Sequence, residues 1–220
     1  MYEEFVKKVN KLEQESELAE CLYSKALEMI HEVQGDLRKI DDTRHVRRVI
    51  RPFLTQWGMM GRVVGRKDAD WQRLGGVLRS LEGEFQKLRG KKLFTTNLED
   101  QEISSAVKTI YGKLRDIRYL GSPTTISKVL HLLNPELFVM WDKDIREKYR
   151  RKNHLVRDTP EGYLEFLKEV KKFLEEVLIE YQKATGKGLD EIDSELRSNY
   201  KKTLSKLVDE YNWVEAHWKD

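Results

Sequence analysis

The amino-acid sequence predicts an all-α protein of about eight helices in a single compact domain. Along most of its 220 residues, apolar side chains recur at steps of three and four, which is the spacing of an amphipathic helix. No segment shows the alternation of apolar and polar residues that a strand requires. Apolar residues make up 39% of the chain and aromatic residues 10%, a composition that suits a folded core.

Three helices are predicted in the first 90 residues. The first covers 3–34, and the second covers 42–57, where Pro52 is expected to kink the helix or to mark its start. The segment 58–67 contains three glycines and is predicted to be a loop or a bend. The third helix covers 68–89 and has a clear apolar stripe.

Five more helices are predicted in the rest of the chain, and several have recognisable start signals. Ser122 and Thr159 are predicted helix caps, because each precedes a proline that would take the first helical position. Asn97 and Asp142 are predicted to cap two others. The predicted ranges are 98–117, 123–133, 143–151, 160–185 and 190–216.

Charged residues make up 36% of the chain, and their signs are distributed unevenly. Residues 38–157 have a net charge of +13, whereas 1–37 and 158–220 together have −10, which leaves +3 overall. These groups are two possible lobes, an acidic one made of both ends and a basic middle. Either the acidic ends pack beside the middle and neutralise it, or the middle presents a basic face to a polyanion, most often a nucleic acid. The abundance of Lys, Arg and Glu also resembles the composition of thermophile proteins.

An arginine-rich segment between 38 and 79 favours the nucleic-acid interpretation, because a planar guanidinium group can bind phosphate through two hydrogen bonds. Trp57 and Trp71 lie in the same segment and could stack on bases, although tryptophan in a helical protein more often packs in the core. The candidate phosphate-binding side chains are Arg44, Arg47, Arg48, Arg51, Arg62 and Arg66.

A second candidate site lies within 120–148, at the start of a predicted helix. Ser122 caps this helix, so the N–H groups of Thr124 and Thr125 lie at the positive end of the helix dipole, which favours an anion. Lys128 adds positive charge one turn later. The sequence therefore predicts an anion site here, although many helix starts of this kind bind only water.

The elements from 105 to 150 resemble those of the helix-hairpin-helix DNA glycosylases. The sequence reads IRYLGSPTT, then ISKVLHLL, then FVMWDKDI, which matches a hairpin, an apolar helix and an apolar run ending in Asp-x-x-Ile. The resemblance implies an all-α fold with a helix-hairpin-helix-like element near 105–133, and duplex DNA held by its backbone near Gly121. It also implies that Asp142 is the catalytic residue, which would activate water or stabilise charge on the sugar after a base is flipped out.

The sequence departs from the family pattern at four points. The hairpin has one glycine, Gly121, where the family usually has two. Thr124 and Thr125 stand where bifunctional members have a lysine, so lysine-dependent lyase activity is not expected. Lys143 and Asp144 replace the family's usual Thr-His after the catalytic residue, and the four-cysteine cluster motif is missing. An inactive relative is therefore one alternative to an enzyme.

Other kinds of site lack the residues they need. Cys21 is the only cysteine, and the five histidines show no metal-ligand spacing, so neither a metal site nor a cofactor is expected. P-loop, GxGxxG and GxSxG motifs do not occur. His131 is interpreted as a hydrogen-bonded core residue. Because the N-terminus has no apolar signal region and no run of 18 apolar residues occurs, we expect a cytoplasmic protein without a membrane span.

The alternative to nucleic-acid binding is a helical interaction protein without chemistry. In that case the apolar faces of 3–34 and 190–216 would be buried between two copies of the chain in a homodimer. A third option is a small-ligand pocket lined by Tyr119 and Trp141.

Overall fold

A computed structural model describes residues 1–13, 17–58, 60–65 and 69–217, and over these ranges the regular structure is entirely helical. The predicted fold class is therefore confirmed, but the described residues form eleven α-helices, more than the eight predicted. The α-helices are α1 (Tyr2–Glu13), α2 (Glu17–Gln34), α3 (Gly61–Val64), α4 (Trp71–Ser80), α5 (Glu82–Leu88), α6 (Gln101–Arg115), α7 (Pro123–Leu133), α8 (Lys143–Lys152), α9 (Pro160–Thr185), α10 (Leu189–Tyr200) and α11 (Leu204–His217).

The additional helices come from divisions that the apolar periodicity does not reveal. The helix predicted over 68–89 is divided at Leu81 into α4 and α5. The last predicted helix is divided by Lys201, whose φ of 53° lies in the left-handed region, into α10 and α11. The segment predicted as a loop contains the short helix α3. Residues 14–16, within the first predicted helix, lie outside the described part.

Between α2 and α3, the chain forms a helix that is wider than an α-helix. A single turn at Leu37–Lys39 precedes it, and its two wide parts are Asp42–Ile50 and Phe53–Trp57. Its hydrogen bonds join residues five apart, as in Val46 N to Asp41 O at 3.2 Å and Gly58 N to Phe53 O at 2.8 Å. We call residues 42–57 the wide helix.

The burial pattern of the wide helix explains its geometry. Its core residues come in adjacent pairs four residues apart: His45 with Val46, Val49 with Ile50, and Phe53 with Leu54. An α-helix of 3.6 residues per turn would rotate each pair by about 40° from the one before it. A wider turn reduces this rotation, so successive pairs stay on the side of the helix that faces the core. Pro52 lies within this helix and has helical backbone angles (φ −60°, ψ −40°).

The core is built around the long helix α9 and the last helix α11. α9 packs against α1, α6, α8 and α10, and α11 packs against α1, α8 and α10. Every residue of α11 from Leu204 to Asn212 is buried. This helix, which belongs to the acidic end 158–220, is therefore surrounded by other parts of the chain.

The described helices include none that is both long and apolar enough to cross a membrane.

Candidate nucleic-acid interface

The arginines of the wide helix form an exposed face opposite its core residues. Arg47, Arg48 and Arg51 are exposed, and so is Arg62 on α3. Within the ranges that the structure describes, none of these four guanidinium groups forms an ion pair. We call these four residues the arginine face. Arg66, predicted as a fifth member, lies outside the described residues.

Most other arginines with a described environment are paired with carboxylates. Arg44, which was predicted to bind phosphate, lies 2.6 Å from Glu32 Oε2 of α2. Further pairs join Arg38 to Asp36, Arg79 to Asp42, Arg89 to Glu82, Arg146 to Asp158, and Arg197 to both Glu136 and Asp193.

Residues of the acidic ends form ion pairs with some residues of the basic middle. Lys92 lies 2.8 Å from Asp193, and Lys148 lies 3.4 Å from Glu215. These contacts neutralise charge along α10 and α11 but leave the arginine face without carboxylate partners in the described structure.

The two tryptophans near the arginine face pack against other parts of the protein, Trp71 as a buried residue and Trp57 as a partly buried one. Trp71 is buried, and the guanidinium group of Arg51 lies 5.8 Å from its ring centre. Trp57 stacks on Phe53, with ring centres 4.7 Å apart and planes 9° apart, and also on Tyr23. Their rings therefore serve the core, which was the more frequent role expected for them.

At the start of α7, the predicted anion-binding groups have partners inside the protein. Ser122 Oγ accepts a hydrogen bond from Thr125 N at 3.2 Å, which is the predicted cap. Thr125 is buried, with its Oγ1 3.8 Å from Met60 Sδ, and Thr124 Oγ1 accepts a hydrogen bond from Arg146 at 3.0 Å. The contact between Thr125 and Met60 holds the segment after the wide helix against α7.

Lys128 of α7 also contacts the end of the wide helix. Its Nζ donates a hydrogen bond to Gly58 O at 3.0 Å and lies 5.3 Å from the centre of the Trp57 ring. Burial lowers the pKa of this amine, while the carboxylates of Asp209 and Asp142 oppose the shift. Lys128 therefore anchors the end of the wide helix, and it reaches the surface less than the sequence suggested.

Gly121 is required by a close approach of two backbone segments before α7. A Cβ atom at this position would lie 2.0 Å from Arg115 O and 2.7 Å from Arg115 C, at the end of α6. The Gly121 N–H donates to Ile117 O at 2.8 Å, which closes the turn. Only a residue without a side chain fits between α6 and α7 here.

Replacing Gly121 by Ala should therefore lower the free energy of unfolding by about 1–3 kcal/mol, because fixed backbone atoms would have to move. Urea denaturation monitored by circular dichroism measures the change. Gly83→Ala is the matched control: this exposed glycine of α5 has open space around it, so alanine should be neutral or stabilise by up to about 1 kcal/mol. Equal stability of Gly121→Ala and wild type would contradict the close approach.

Asp142 is in the predicted position, at the end of a buried apolar run and at the start of α8. Its Oδ1 accepts a hydrogen bond from Ile145 N at 2.9 Å, so it caps the helix. Its Oδ2 lies 3.3 Å from His217 Nε2, at the end of α11, and the side chain is 26% exposed. Both carboxylate oxygens therefore face groups of the protein. Trp141 beside it is fully buried and packs on Tyr163 and Phe166, so it lines no open pocket.

A group of buried charges on α11 and just before it was not predicted from the sequence. Glu210 Oε1 lies 2.9 Å from Lys202 Nζ and 3.0 Å from Lys206 Nζ, and Lys206 Nζ lies 3.3 Å from Asp209 Oδ2. Burial disfavours the charge of Lys206, but Glu210 and Asp209 outweigh burial and raise its pKa. Burial also raises the pKa of Asp209 to about 6. We call these four residues the α11 charge cluster.

His131 lies in a buried chain of hydrogen bonds. Its Nδ1 donates to Phe138 O at 2.6 Å, so its Nε2 accepts from Tyr23 OH, also at 2.6 Å. Burial lowers the pKa of the imidazole to about 3, which keeps the ring neutral. The prediction that His131 is a hydrogen-bonded core residue is confirmed.

Comparison of the chain with protein-family models, with curated proteins and with solved structures finds no significant match.

Proposed function

We propose that this protein binds a nucleic acid, duplex DNA, through phosphate contacts made by the arginine face. The observation that carries the proposal is that Arg47, Arg48, Arg51 and Arg62 are exposed and unpaired within the described ranges, although the chain has 38 acidic residues. Arginine is suited to phosphate because its planar donors match two oxygens at once. Phosphate contacts of this kind give affinity and position but little sequence preference.

The dimensions of the arginine face suit a charged polymer. From Arg47 to Arg51 the chain advances by about 6 Å at most, using the rise of an α-helix as the upper limit. Duplex DNA presents about three to four negative charges over that length. A row of several guanidinium groups therefore faces several phosphates at once, which a small anion could not provide.

The turn before α7 supports an extension of the same surface. By the resemblance to helix-hairpin-helix proteins, Gly121, Ser122 and Thr124 would contact a second stretch of backbone. The packing of Met60 on Thr125 joins the segment between the wide helix and α3 to this turn. Base excision is not part of the proposal, because the Asp142 carboxylate is engaged by Ile145 N and faces His217.

The proposal is tested by measuring duplex DNA binding between 50 and 200 mM salt by fluorescence anisotropy. Wild type should bind with an affinity that falls steeply as salt rises, because bound phosphates release counterions. Arg47→Ala with Arg48→Ala should weaken binding about tenfold or more and reduce the slope of log K against log salt by about two, equally for different sequences.

Arg38→Ala with Arg150→Ala is the matched control, because these two exposed arginines are already paired with Asp36 and Asp158. This control should keep most of the affinity. The proposal fails if wild type does not bind at 50 mM salt, or if the two double variants lose affinity equally.

The dimer alternative has less support from the packing. Phe5, Val9, Ile30 and Val33, which form the apolar faces of α1 and α2, are buried within one chain. α1 packs on α9 and α11, and α2 packs on α7 and the wide helix. No second copy is needed to cover these faces.

A further inference from the structure

Three side chains lie close together where the start of α8 meets the end of α11. Asp142 and Asp144 lie at the start of α8, and His217 is the last residue of α11. His217 Nε2 lies 3.3 Å from Asp142 Oδ2 and 3.3 Å from Asp144 Oδ2, and the three ligand atoms all lie within 4.8 Å of one another. We propose that these three side chains bind a divalent transition-metal ion of the zinc type.

The two carboxylates alone do not carry this inference, because acidic residues are common in the first turn of a helix, where they favour the dipole. The informative group is the imidazole. His217 Nδ1 lies 2.9 Å from Trp213 O, and a carbonyl oxygen only accepts hydrogen bonds, so Nδ1 carries a hydrogen atom. In the neutral ring Nε2 then has only a lone pair, and it lies 3.3 Å from one oxygen of each carboxylate. A cation between the three atoms turns this repulsion into attraction.

The orientation of His217 is also that of a metal ligand. Histidines that bind metal through one ring nitrogen usually donate the other N–H to a carbonyl or a carboxylate, which fixes the ring. Here Trp213 O provides that acceptor, and the Trp213 ring stacks on the imidazole with centres 4.7 Å apart. Asp142 is held in the same way, since its Oδ1 bonds to Ile145 N and leaves Oδ2 for an ion.

The distances between the ligand atoms match the size of a zinc site. Ligands held about 2.0–2.2 Å from a tetrahedral ion are separated from each other by about 3.3–3.6 Å. The separations of His217 Nε2 from the two carboxylate oxygens, 3.3 Å each, fall in this range, and the three ligand atoms lie within 4.8 Å of one another. Ca²⁺ and Mg²⁺ prefer oxygen ligands in larger numbers, so a site with one imidazole favours zinc or a similar ion. Three protein ligands leave the fourth position for water.

Among the described residues, the amines of Lys128 and Lys143 make their contacts elsewhere. The amine of Lys128 is hydrogen-bonded to Gly58 O, and Lys143, whose side chain is 78% exposed, lies 3.8 Å from Glu147 on the next turn of α8. The proposed site is also independent of the arginine face, so loss of DNA binding would leave it untouched.

Isothermal titration of Zn²⁺ into the metal-free full chain, without a polyhistidine tag, tests the proposal at neutral pH. Wild type should bind one ion and gain thermal stability in its presence. His217→Ala and Asp144→Asn should each weaken binding by about 100-fold or more, while Asp142 keeps its cap. His154→Ala, an exposed histidine on the loop after α8, should bind as wild type does.

No binding by wild type, or equal binding by wild type and His217→Ala, would overturn the proposal. His217 would then be a protonated partner of the two carboxylates. Circular dichroism of each variant shows that it is folded, so that a lost ligand is distinguished from a lost structure.

Discussion

Replacing Glu210 by Ala should lower the free energy of unfolding by about 3–5 kcal/mol, which we expect to be the largest effect of a single substitution in the α11 charge cluster. Glu210 is 1% exposed, and it lies between the amines of Lys202 and Lys206. Without Glu210, the buried ammonium groups of Lys202 and Lys206 would lose the carboxylate that lies between them. A buried charge that loses its partner costs far more than an exposed one.

Urea denaturation of Glu210→Ala measures this effect, and two further variants interpret it. Glu176→Ala, on an exposed position of α9, should change stability by less than about 0.5 kcal/mol. Adding Lys206→Met to Glu210→Ala should recover part of the loss, since one uncompensated charge is then removed. A loss below about 1 kcal/mol for Glu210→Ala would show that water reaches the cluster.

Replacing Asp209 by Asn should make the protein more stable relative to wild type as the pH rises from 4 to 7. Burial raises the pKa of Asp209 from 3.8 to about 6, so between these values the folded state holds a proton that the unfolded state has released. Wild-type stability from this group is therefore fully present below about pH 4 and lost as pH rises through about 6. Two pKa units correspond to about 3 kcal/mol.

Denaturation curves of both proteins at pH 4, 5, 6 and 7 test this prediction. The difference in unfolding free energy should grow by about 3 kcal/mol over the series, because Asn has no proton to release. Asp190→Asn, at an exposed position of α10, is the control, and its free energy of unfolding should change with pH as that of wild type does. A constant difference between Asp209→Asn and wild type would mean that Asp209 is solvated in the folded state.

Helix boundaries set by local chemistry could be predicted from the sequence. Ser122, Asp142 and Thr159 cap α7, α8 and α9 as expected, because a cap needs only a side-chain oxygen and an N–H three residues away. Asn97 was the wrong cap for α6, since Asp100 takes that role and Asn97 holds the turn before it. The interruption at Lys201 could not be predicted, because a lysine rarely adopts a positive φ and gives no signal for it.

The candidate sites were harder to predict than the helix boundaries, because they depend on contacts between distant parts of the chain. The exposure of Arg47 and Arg48 follows from their position opposite the apolar stripe of one helix, so the sequence could indicate it. Their lack of partners in the described structure depends on where distant carboxylates lie. The buried charges of α11 resemble a solvated face in the sequence, since the helices that cover them come from other parts of the chain. His217 lies 73 positions after Asp144, so no local spacing could connect them.

The wide helix makes this region sensitive to insertions and deletions. Each residue of an α-helix turns the chain by about 100°, so deletion of one residue between His45 and Phe53 would rotate everything after it by a similar angle. Phe53 and Leu54 would leave the side that faces the core, and Arg51 would move from the side that carries Arg47 and Arg48. The number of residues in this segment, as much as their identity, therefore keeps the core side and the charged side apart.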